Sequence, residues 1–234
     1  QYALGGEALG LDIQATRFLL RAAKSGVRFS RTATLGRQNL SLKPAVLIAD
    51  ARRVGLSKLT DDVEAIYAAH PYADELLRRL GVDDLDAVDA SDYEGANIVF
   101  DMNDVLPEAL RGRYDCVFDG GAMEHVFDLP RMIRNLAGLL KVGGTLISIN
   151  GANNLMGHGF YQFSPEFFFR VFSPENGFQI EEVVLSELHA DAEWRRVSDP
   201  ASIGKRLQIA NLERTYIMVR ARKTADVEMF AQAP

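Results

Sequence analysis

Cysteine is almost absent from this chain of 234 residues, which contains only Cys116. A single cysteine can form no internal disulfide and no cysteine-rich zinc site. Such usage is typical of proteins kept in a reducing compartment, so we expect a cytoplasmic protein. The chain also has no run of about 18 apolar residues, and the sequence therefore predicts no transmembrane helix.

An excess of basic residues is also lacking, since the net charge at pH 7 is −6. Proteins that bind nucleic acid over a whole domain usually carry the opposite charge, so we expect no nucleic-acid partner. The apolar fraction of 47% and the charged fraction of 25% are ordinary for a globular protein. With this length they exclude a disordered or fibrous chain and favour a single α/β domain over residues 1–234.

Several common site signatures are missing as well. The sequence has no Gly-x-x-x-x-Gly-Lys phosphate loop and no Gly-x-Gly-x-x-Gly dinucleotide fingerprint. No set of His, Cys and Asp residues has the spacing of metal ligands. The sequence therefore predicts no metal site.

The order of strand and helix patterns is the main positive signal for the fold. Short apolar runs that end in polar loops alternate with helical patterns, which indicates a doubly wound, mainly parallel sheet. We predict seven strands, at residues 31–35, 85–88, 97–100, 114–118, 145–149, 178–185 and 215–221.

Helical spacing of apolar residues predicts an N-terminal helical segment within residues 1–30 and a helical insertion over residues 45–80. The gap between the first and second strands is long for one helix, so we expect an inserted helix there that could form a lid or a homodimer surface. Two later helices have clear starts, at Asp128 and at Ser164. Lys141 and the glycines after it are predicted to close the first of these two helices.

Polar residues follow the ends of the first four predicted strands. In an open parallel sheet, the ligand cleft lies beyond the carboxyl ends of the strands. A carboxylate after the second strand can accept both hydroxyls of a ribose, and one after the third can accept an adenine amine. Any one such aspartate more often caps a turn, but the ordered series predicts a nucleoside site. The predicted cofactor-binding residues are Gly36, Arg37, Gln38, Asp89, Asp101, Asp119 and Gly120.

Two segments resemble the region between the fourth and fifth strands of class I S-adenosylmethionine-dependent methyltransferases. They are residues 114–126, which end in Met-Glu-His-Val, and residues 139–148, which begin Leu-Lys-Val-Gly-Gly. The family often has Leu-Glu-His-Val and Leu-Lys-Pro-Gly-Gly there, so Val142 replaces a proline. The resemblance extends by order over residues 30–185 and is tight over residues 85–149. It implies a Rossmann-like methyltransferase fold and S-adenosylmethionine as the cofactor.

The loop after the first strand departs from this family's pattern. Family members carry Gly-x-Gly-x-Gly under the methionine part of the cofactor, whereas residues 34–39 contain one glycine, Gly36. Either the loop holds the cofactor by another geometry, with Arg37 or Gln38 reaching its carboxylate, or the site is degenerate. In the second case, the chain would be a non-catalytic scaffold or interaction subunit. A dinucleotide-dependent oxidoreductase is a third alternative, which the missing glycine fingerprint disfavours.

Two histidines are candidate catalytic residues. His125 follows the fourth strand, where the resemblance implies methyl transfer, and it could act as a general base toward an oxygen acceptor. His158 lies in a glycine-flanked loop after the fifth strand, from which family members often contact the acceptor. A hydrogen bond to backbone for His125 and simple solvent exposure for His158 are equally good interpretations. The neighbouring Glu124 is interpreted as a helix cap.

Residues before the helix start at Ser164 are candidates for binding the acceptor. Tyr161 and Gln162 have polar tips at this position, whereas the phenylalanines that follow are predicted to belong to the core. The resemblance thus implies methyl transfer to a small-molecule or saccharide-like acceptor, and we expect Tyr161 and Gln162 to bind it.

Overall fold

The computed structural model describes residues 10–68, 71–206 and 208–231. Within these ranges, eight strands form one sheet in the order β3-β2-β1-β4-β5-β8-β6-β7. The strands are β1 (Arg31–Leu35), β2 (Asp84–Asp89), β3 (Ile98–Val99), β4 (Tyr114–Asp119), β5 (Leu140–Asn153), β6 (Phe178–Glu187), β7 (Arg195–Arg196) and β8 (Thr215–Lys223).

The prediction of seven strands is wrong by one. The described part of the chain has an eighth strand, β7, which pairs with Val184 and Leu185 of β6. Because β7 has only two residues, both exposed, it has no alternating apolar pattern that could indicate a strand.

The sheet has a parallel half and an antiparallel half. Neighbouring strands from β3 through β2, β1 and β4 to β5 are parallel. Strand β8 lies antiparallel between β5 and β6, so β6 has the same direction as β5. The carboxyl ends of β1, β2, β4, β5 and β6 therefore lie along one edge of the sheet, which we call the carboxyl edge.

Helices cover both faces of this sheet because its strands carry apolar side chains on both sides. In β4, Cys116 and Phe118 pack into one core cluster, whereas Val117 packs into the other. The first cluster contains side chains from four helices, which are α1 (Ile13–Lys24), α2 (Pro44–Arg53), α3 (Val63–Ala68) and α4 (Asp74–Arg79). The second contains side chains from α5 (Leu129–Leu139) and α6 (Pro165–Val171), and a short α7 (Pro200–Ile203) follows β7.

The predicted helical insertion over residues 45–80 consists of three short helices, α2 to α4, between β1 and β2. The loop after β1 is joined to this segment by two main-chain hydrogen bonds. The Leu40 N–H donates to the carbonyl of Pro71 at 2.7 Å, and the Ala73 N–H donates to the carbonyl of Gln38 at 2.9 Å. The inserted helices therefore fix the position of the first loop.

Helix caps agree with the sequence in two places. The Asp128 carboxylate accepts a hydrogen bond from the backbone N–H of Arg131 at the start of α5, and the Ser164 hydroxyl accepts one from that of Phe167 at the start of α6. Both predicted starts are confirmed. Of the predicted N-terminal helical segment, residues 1–9 lie outside the described residues. None of the helices in the described ranges has the length and apolar character needed to cross a membrane.

Candidate functional site

Gly36 and Asp89 adjoin each other at the carboxyl edge, at the ends of β1 and β2. Gly36 has a φ of +67°, and its N–H donates to the carbonyl of Val88 at 2.7 Å. A Cβ atom at Gly36 would lie 3.4 Å from Oδ2 of Asp89. The other carboxylate oxygen, Oδ1, accepts a hydrogen bond from the N–H of Ser91. Within the described ranges, Oδ2 of Asp89 has no hydrogen-bond donor.

The side chain of Arg37 is committed to the inserted helices. Its guanidinium lies 2.7 Å from Oδ2 of Asp74 and stacks over the ring of Tyr72, 3.7 Å from the ring centroid. The hydrogen bond to Asp74 raises the pKa of Arg37 above its usual value. In this arrangement, Arg37 holds α4 against the first loop.

Gln38 and Gly120 meet where the loops after β1 and β4 come together. The amide nitrogen of Gln38 donates to the carbonyl of Leu35 at 2.8 Å. Its amide oxygen, Oε1, is buried and has no partner in the described part of the chain. A Cβ atom at Gly120 would lie only 2.3 Å from this oxygen and 2.8 Å from the ring of Phe118. A side chain at position 120 would therefore displace the Gln38 amide or the Phe118 ring.

Asp119, at the end of β4, is fully buried, and both of its carboxylate oxygens are occupied by internal partners. Oδ1 accepts from the backbone N–H groups of Ala122 and Met123, at 2.9 and 3.2 Å. Oδ2 accepts from the Ser148 hydroxyl at 2.8 Å and from the Asn150 amide at 2.7 Å. Burial raises the pKa of Asp119 above its usual value, and these four hydrogen bonds oppose that shift. Its carboxylate thus braces the loop after β4.

Asp101 is exposed after β3 and serves a local turn. One of its oxygens accepts from both the backbone N–H and the side-chain amide of Asn103, each at 2.8 Å. The three aspartates at the predicted strand ends are therefore not equivalent. Within the described ranges, Asp89 has one carboxylate oxygen without a donor, whereas both oxygens of Asp119 have internal partners and Asp101 is exposed.

Three titratable side chains come together from the loops after β4 and β5. The possible ligand atoms of Glu124, His125 and His158 all lie within 4.8 Å of one another. Nε2 of His158 is 3.6 Å from Oε1 of Glu124, and the two imidazole ring centroids are 4.9 Å apart. We call these three residues the Glu–His–His cluster.

The surroundings of Glu124 do not fit its interpretation as a helix cap. Residues Met123–His125 form a single 3₁₀ turn, and the cap position belongs to Ala122. The Glu124 carboxylate is fully buried, and in the described ranges neither of its oxygens has a hydrogen-bond partner. Burial raises its pKa to about 8, and the nearby charge of Asp119 acts in the same direction. The backbone N–H groups of Glu124 and Gly151 act in the opposite direction and lower that pKa.

The two histidines differ in their surroundings. His125 is exposed at the surface, yet partial burial of its ring lowers its pKa, and the neighbouring His158 adds to this effect. The side chain of His158 is one-third exposed, at 33%. The loop that carries His158 is bound to the loop after β4, since the Phe160 N–H donates to the Glu124 carbonyl at 2.7 Å.

The predicted acceptor residues lie beside this cluster, and their polar atoms stabilise the loop. The Tyr161 hydroxyl donates to the carbonyl of Phe127 at 2.8 Å, and the Gln162 amide oxygen accepts from the N–H of Leu155 at 2.9 Å. The rings of Phe127 and Phe160 are 72% and 64% exposed and lie 5.6 Å apart between centroids. An exposed aromatic surface therefore adjoins the histidines.

A cavity of about 280 Å³ lies farther along the carboxyl edge, beyond β5. It includes none of the predicted cofactor residues and has Glu187 and Asn211 among its polar lining residues. Residues of the connection between β5 and α6 line this cavity. The same connection contains His158, so the cavity offers room next to the Glu–His–His cluster. The cavity's strand-end carboxylate, Glu187, is paired with Asn211 and His189, whereas Oδ2 of Asp89 has no donor within the described ranges.

Sequence patterns missed Glu124 and the proximity of the three cluster residues. A glutamate before a histidine at a helix start is an ordinary capping pattern. The burial of Glu124 and its contact with His158 in the loop after β5 leave no local signal in the sequence.

Comparisons with known proteins identify similar structures but no similar sequence. Neither a family model nor a curated protein matches the chain. A SAM-dependent methyltransferase from Thermotoga maritima is similar at a TM-score of 0.43, with 15% identity over 89% of each chain. A 1,6-didemethyltoxoflavin-N1-methyltransferase from Burkholderia thailandensis, crystallised with S-adenosylhomocysteine, has a TM-score of 0.44 and 13% identity over 92% of this chain and 82% of its own.

A branched-chain polyamine synthase from Thermus thermophilus, crystallised with 5′-methylthioadenosine, is similar at a TM-score of 0.47. The identity is 15%, over 92% of this chain and 58% of the synthase. The chain is thus similar in structure to methyltransferases that use S-adenosylmethionine.

Proposed function

We propose that this chain binds S-adenosylmethionine at the carboxyl edge of β1, β2 and β4 and transfers its methyl group to a small-molecule or saccharide-like acceptor. The observation that carries the proposal is the pair formed by Gly36 and Asp89. A glycine with positive φ and an aspartate with a free oxygen stand at neighbouring strand ends. They lie next to the point where the strand order reverses, between β1 and β4, which is where open α/β sheets bind ligands.

The polar groups at this edge fit the proposed cofactor. The free oxygen of Asp89 can accept a ribose hydroxyl. The buried amide oxygen of Gln38 has no donor in the described ranges, and such an orphan acceptor costs about 1–3 kcal/mol. The ammonium group of a methionine moiety could supply that donor. Binding through Arg37 stays a prediction, because its guanidinium is paired with Asp74. We infer that Asp119 acts indirectly, by holding the loop that contains Gly120.

When bound, S-adenosylmethionine would supply a methyl group activated on a sulfonium centre. Displacement at that carbon depends mainly on positioning, which is the contribution of the chain. The lowered pKa of His125 keeps its imidazole neutral near pH 7, so it can accept a proton from an acceptor hydroxyl. His158 stands beside it, with the ring centroids 4.9 Å apart.

The surface beside the histidines favours an acceptor with a flat, partly apolar face. The exposed rings of Phe127 and Phe160 could stack against a planar ring or the apolar face of a sugar. The hydrogen bond from Tyr161 to the Phe127 carbonyl fixes the distance between the two loops that carry these rings. Tyr161 and Gln162 then shape the acceptor surface, and Gln162 does so by holding the loop at Leu155.

Calorimetric titration with S-adenosylhomocysteine tests the cofactor proposal. We expect the wild-type protein to bind it, and Asp89→Ala to weaken binding by about 1–3 kcal/mol, or roughly 5- to 150-fold in Kd. Asp84→Ala is the matched control, because Asp84 lies at the opposite end of the same strand and pairs with Arg31 on the surface. Its affinity should equal that of the wild-type protein.

Three results would contradict the proposal. If the wild-type protein does not bind S-adenosylhomocysteine, the non-catalytic scaffold becomes the better interpretation. If both aspartate variants bind equally well, the cofactor does not use the end of β2. Preferential binding of a nicotinamide dinucleotide would favour an oxidoreductase instead.

A further inference from the structure

We propose that Glu124, His125 and His158 bind a divalent transition-metal ion, with Zn²⁺ as the preferred ion. The donor set is two imidazoles and one carboxylate, which zinc accepts in catalytic sites. The sequence predicts no metal site, because the cluster forms only when the loops after β4 and β5 meet.

In the Glu–His–His cluster, the distance between Glu124 and His158 is close to the ligand spacing of a tetrahedral ion. Zinc binds nitrogen and carboxylate oxygen at roughly 2.0–2.2 Å, which puts two tetrahedral ligands about 3.4 Å apart. Nε2 of His158 lies 3.6 Å from Oε1 of Glu124. A ligand atom of His125 lies within 4.8 Å of both. Because His125 is exposed, a small rotation of its imidazole can complete the set.

The two inner ligand atoms have no other partner. Nε2 of His158 and both oxygens of Glu124 are buried and make no hydrogen bond within the described ranges. A buried carboxylate without a partner is strongly unfavourable unless a proton or a cation neutralises it. One shared cation would satisfy the Glu124 carboxylate and the His158 nitrogen together. The buried Asp119 carboxylate nearby adds to the attraction for a positive charge.

The backbone holds the ligands in place without any metal. Gly159 approaches the main chain of Glu124 so closely that a Cβ atom there would lie 2.7 Å from the Glu124 carbonyl oxygen. The adjacent Phe160 N–H donates to the same oxygen. The histidine loop is therefore attached directly to the residue that supplies the carboxylate, as a pre-formed site requires.

The ion would have a chemical role that rests on the proposed function. Three protein ligands leave one tetrahedral position open, which an acceptor oxygen could occupy. An acceptor hydroxyl bound there would lose its proton to solvent and attack the methyl carbon. The new O–C bond would form as the S–C bond breaks, with that electron pair staying on sulfur. A metal-bound histidine cannot also accept a proton, so the ion would replace a histidine base and favour hydroxyl acceptors.

Metal titration of the untagged protein tests the site directly. The full chain is stripped with a chelator, dialysed, and titrated calorimetrically with Zn²⁺, while Co²⁺ serves as a probe whose visible absorption reports nitrogen ligation. We expect one Zn²⁺ per chain in the wild-type protein. Glu124→Gln and His158→Gln should each lower the Zn²⁺ affinity at least about tenfold.

His189→Gln is the matched control, because the His189 imidazole lies 3.1 Å from a Glu187 oxygen as an exposed histidine–carboxylate pair. Its Zn²⁺ affinity should stay within about twofold of the wild-type value. Circular dichroism verifies that each variant folds. If Glu124→Gln does not fold, His158→Gln provides the test, because the His158 side chain is partly exposed.

The metal site is excluded if the wild-type protein binds no stoichiometric Zn²⁺, or if Glu124→Gln and His158→Gln both bind it as tightly as the wild-type chain. Loss of binding in His189→Gln would also overturn it, since the ion would then lie on the surface pair. Titration of the same samples with S-adenosylhomocysteine separates the two proposals. Zinc binding without cofactor binding would refute the proposed function and leave the metal site standing.

Discussion

Asp89 and Asp119 show how two identical residues at equivalent strand ends acquire different roles. Each is the last residue of its strand, β2 or β4. Asp89 is half-buried and keeps one oxygen without a donor in the described ranges, so it can bind a ligand. Asp119 is fully buried and accepts four internal hydrogen bonds, so its carboxylate is part of the protein's own structure.

Asp119→Ala should therefore affect stability. We expect the free energy of unfolding to fall by about 2–4 kcal/mol, because two backbone N–H groups, a hydroxyl and an amide lose their acceptor in a buried position. Asp101→Ala is the control, since Asp101 also follows a strand but is exposed, and its loss should be below about 1 kcal/mol. Urea unfolding measures both, and equal losses would contradict the structural role of Asp119.

Gly36→Val should weaken binding of S-adenosylhomocysteine at least about tenfold while the protein still unfolds cooperatively. The side chain would enter the space beside Oδ2 of Asp89, and the positive φ adds roughly 1–2 kcal/mol of strain. Gly26→Val carries the same kind of strain, because Gly26 has a φ of +86°, but a Cβ atom there has no neighbour within 4 Å. Calorimetry should find unchanged affinity in the Gly26 variant. Equal affinity in both variants would place the cofactor elsewhere.

At the level of elements, helix α5 ends in a way that its own sequence does not show. The prediction that Lys141 and the glycines after it close this helix is wrong, because α5 ends at Leu139 and Lys141 pairs with Asp115 instead. The carbonyls of Ala137 and Leu140 accept hydrogen bonds from the buried ammonium group of Lys223, at 2.9 and 3.1 Å. The last residue of β8 thus supplies the donors that a helix C-terminus needs.

Lys223→Met tests this connection between β8 and α5. Methionine keeps much of the apolar stem but removes the ammonium donor, so we expect the free energy of unfolding to fall by about 2–4 kcal/mol. The Lys223 ammonium also lies 2.8 Å from the exposed carboxylate of Asp226. Asp226→Ala should lower the free energy of unfolding by less than about 1 kcal/mol. Equal losses in the two variants would show that the ion pair, which both substitutions remove, is the stabilising contact.

At the level of the whole molecule, the sheet separates the two core clusters and contributes side chains to both. Strand β4 lies at the centre of the sheet, and its side chains enter both clusters. Cys116 is fully buried in β4, and burial raises the pKa of its thiol above the usual value. The thiol can therefore react only when the centre of the sheet opens.

Thiol labelling of the native protein should report this opening. We expect Cys116 to be unreactive toward a disulfide reagent in native buffer and to react stoichiometrically in denaturant. The free energy of opening obtained from the labelling rate should equal the free energy of global unfolding from urea titration. Rapid labelling in native buffer would show that β4 opens locally.

Local patterns were enough for much of the fold. The predicted strands at residues 31–35 and 114–118 and the helix starts at Asp128 and Ser164 were recovered because alternation and capping are properties of neighbouring residues. Strand β7 was missed because its pairing with β6 leaves no local pattern. The homodimer and the cytoplasmic location stay predictions.

The sequence by itself determined where most of the strands and helices form and placed polar residues at the strand ends, because both follow from patterns along the chain. Only the tertiary structure decided what those residues do. It left an oxygen of Asp89 free, enclosed Asp119 among four donors, and brought His158 to Glu124 across two strands. Burial and partner choice depend on contacts between segments distant in the chain, and the free energy of a polar group depends on both.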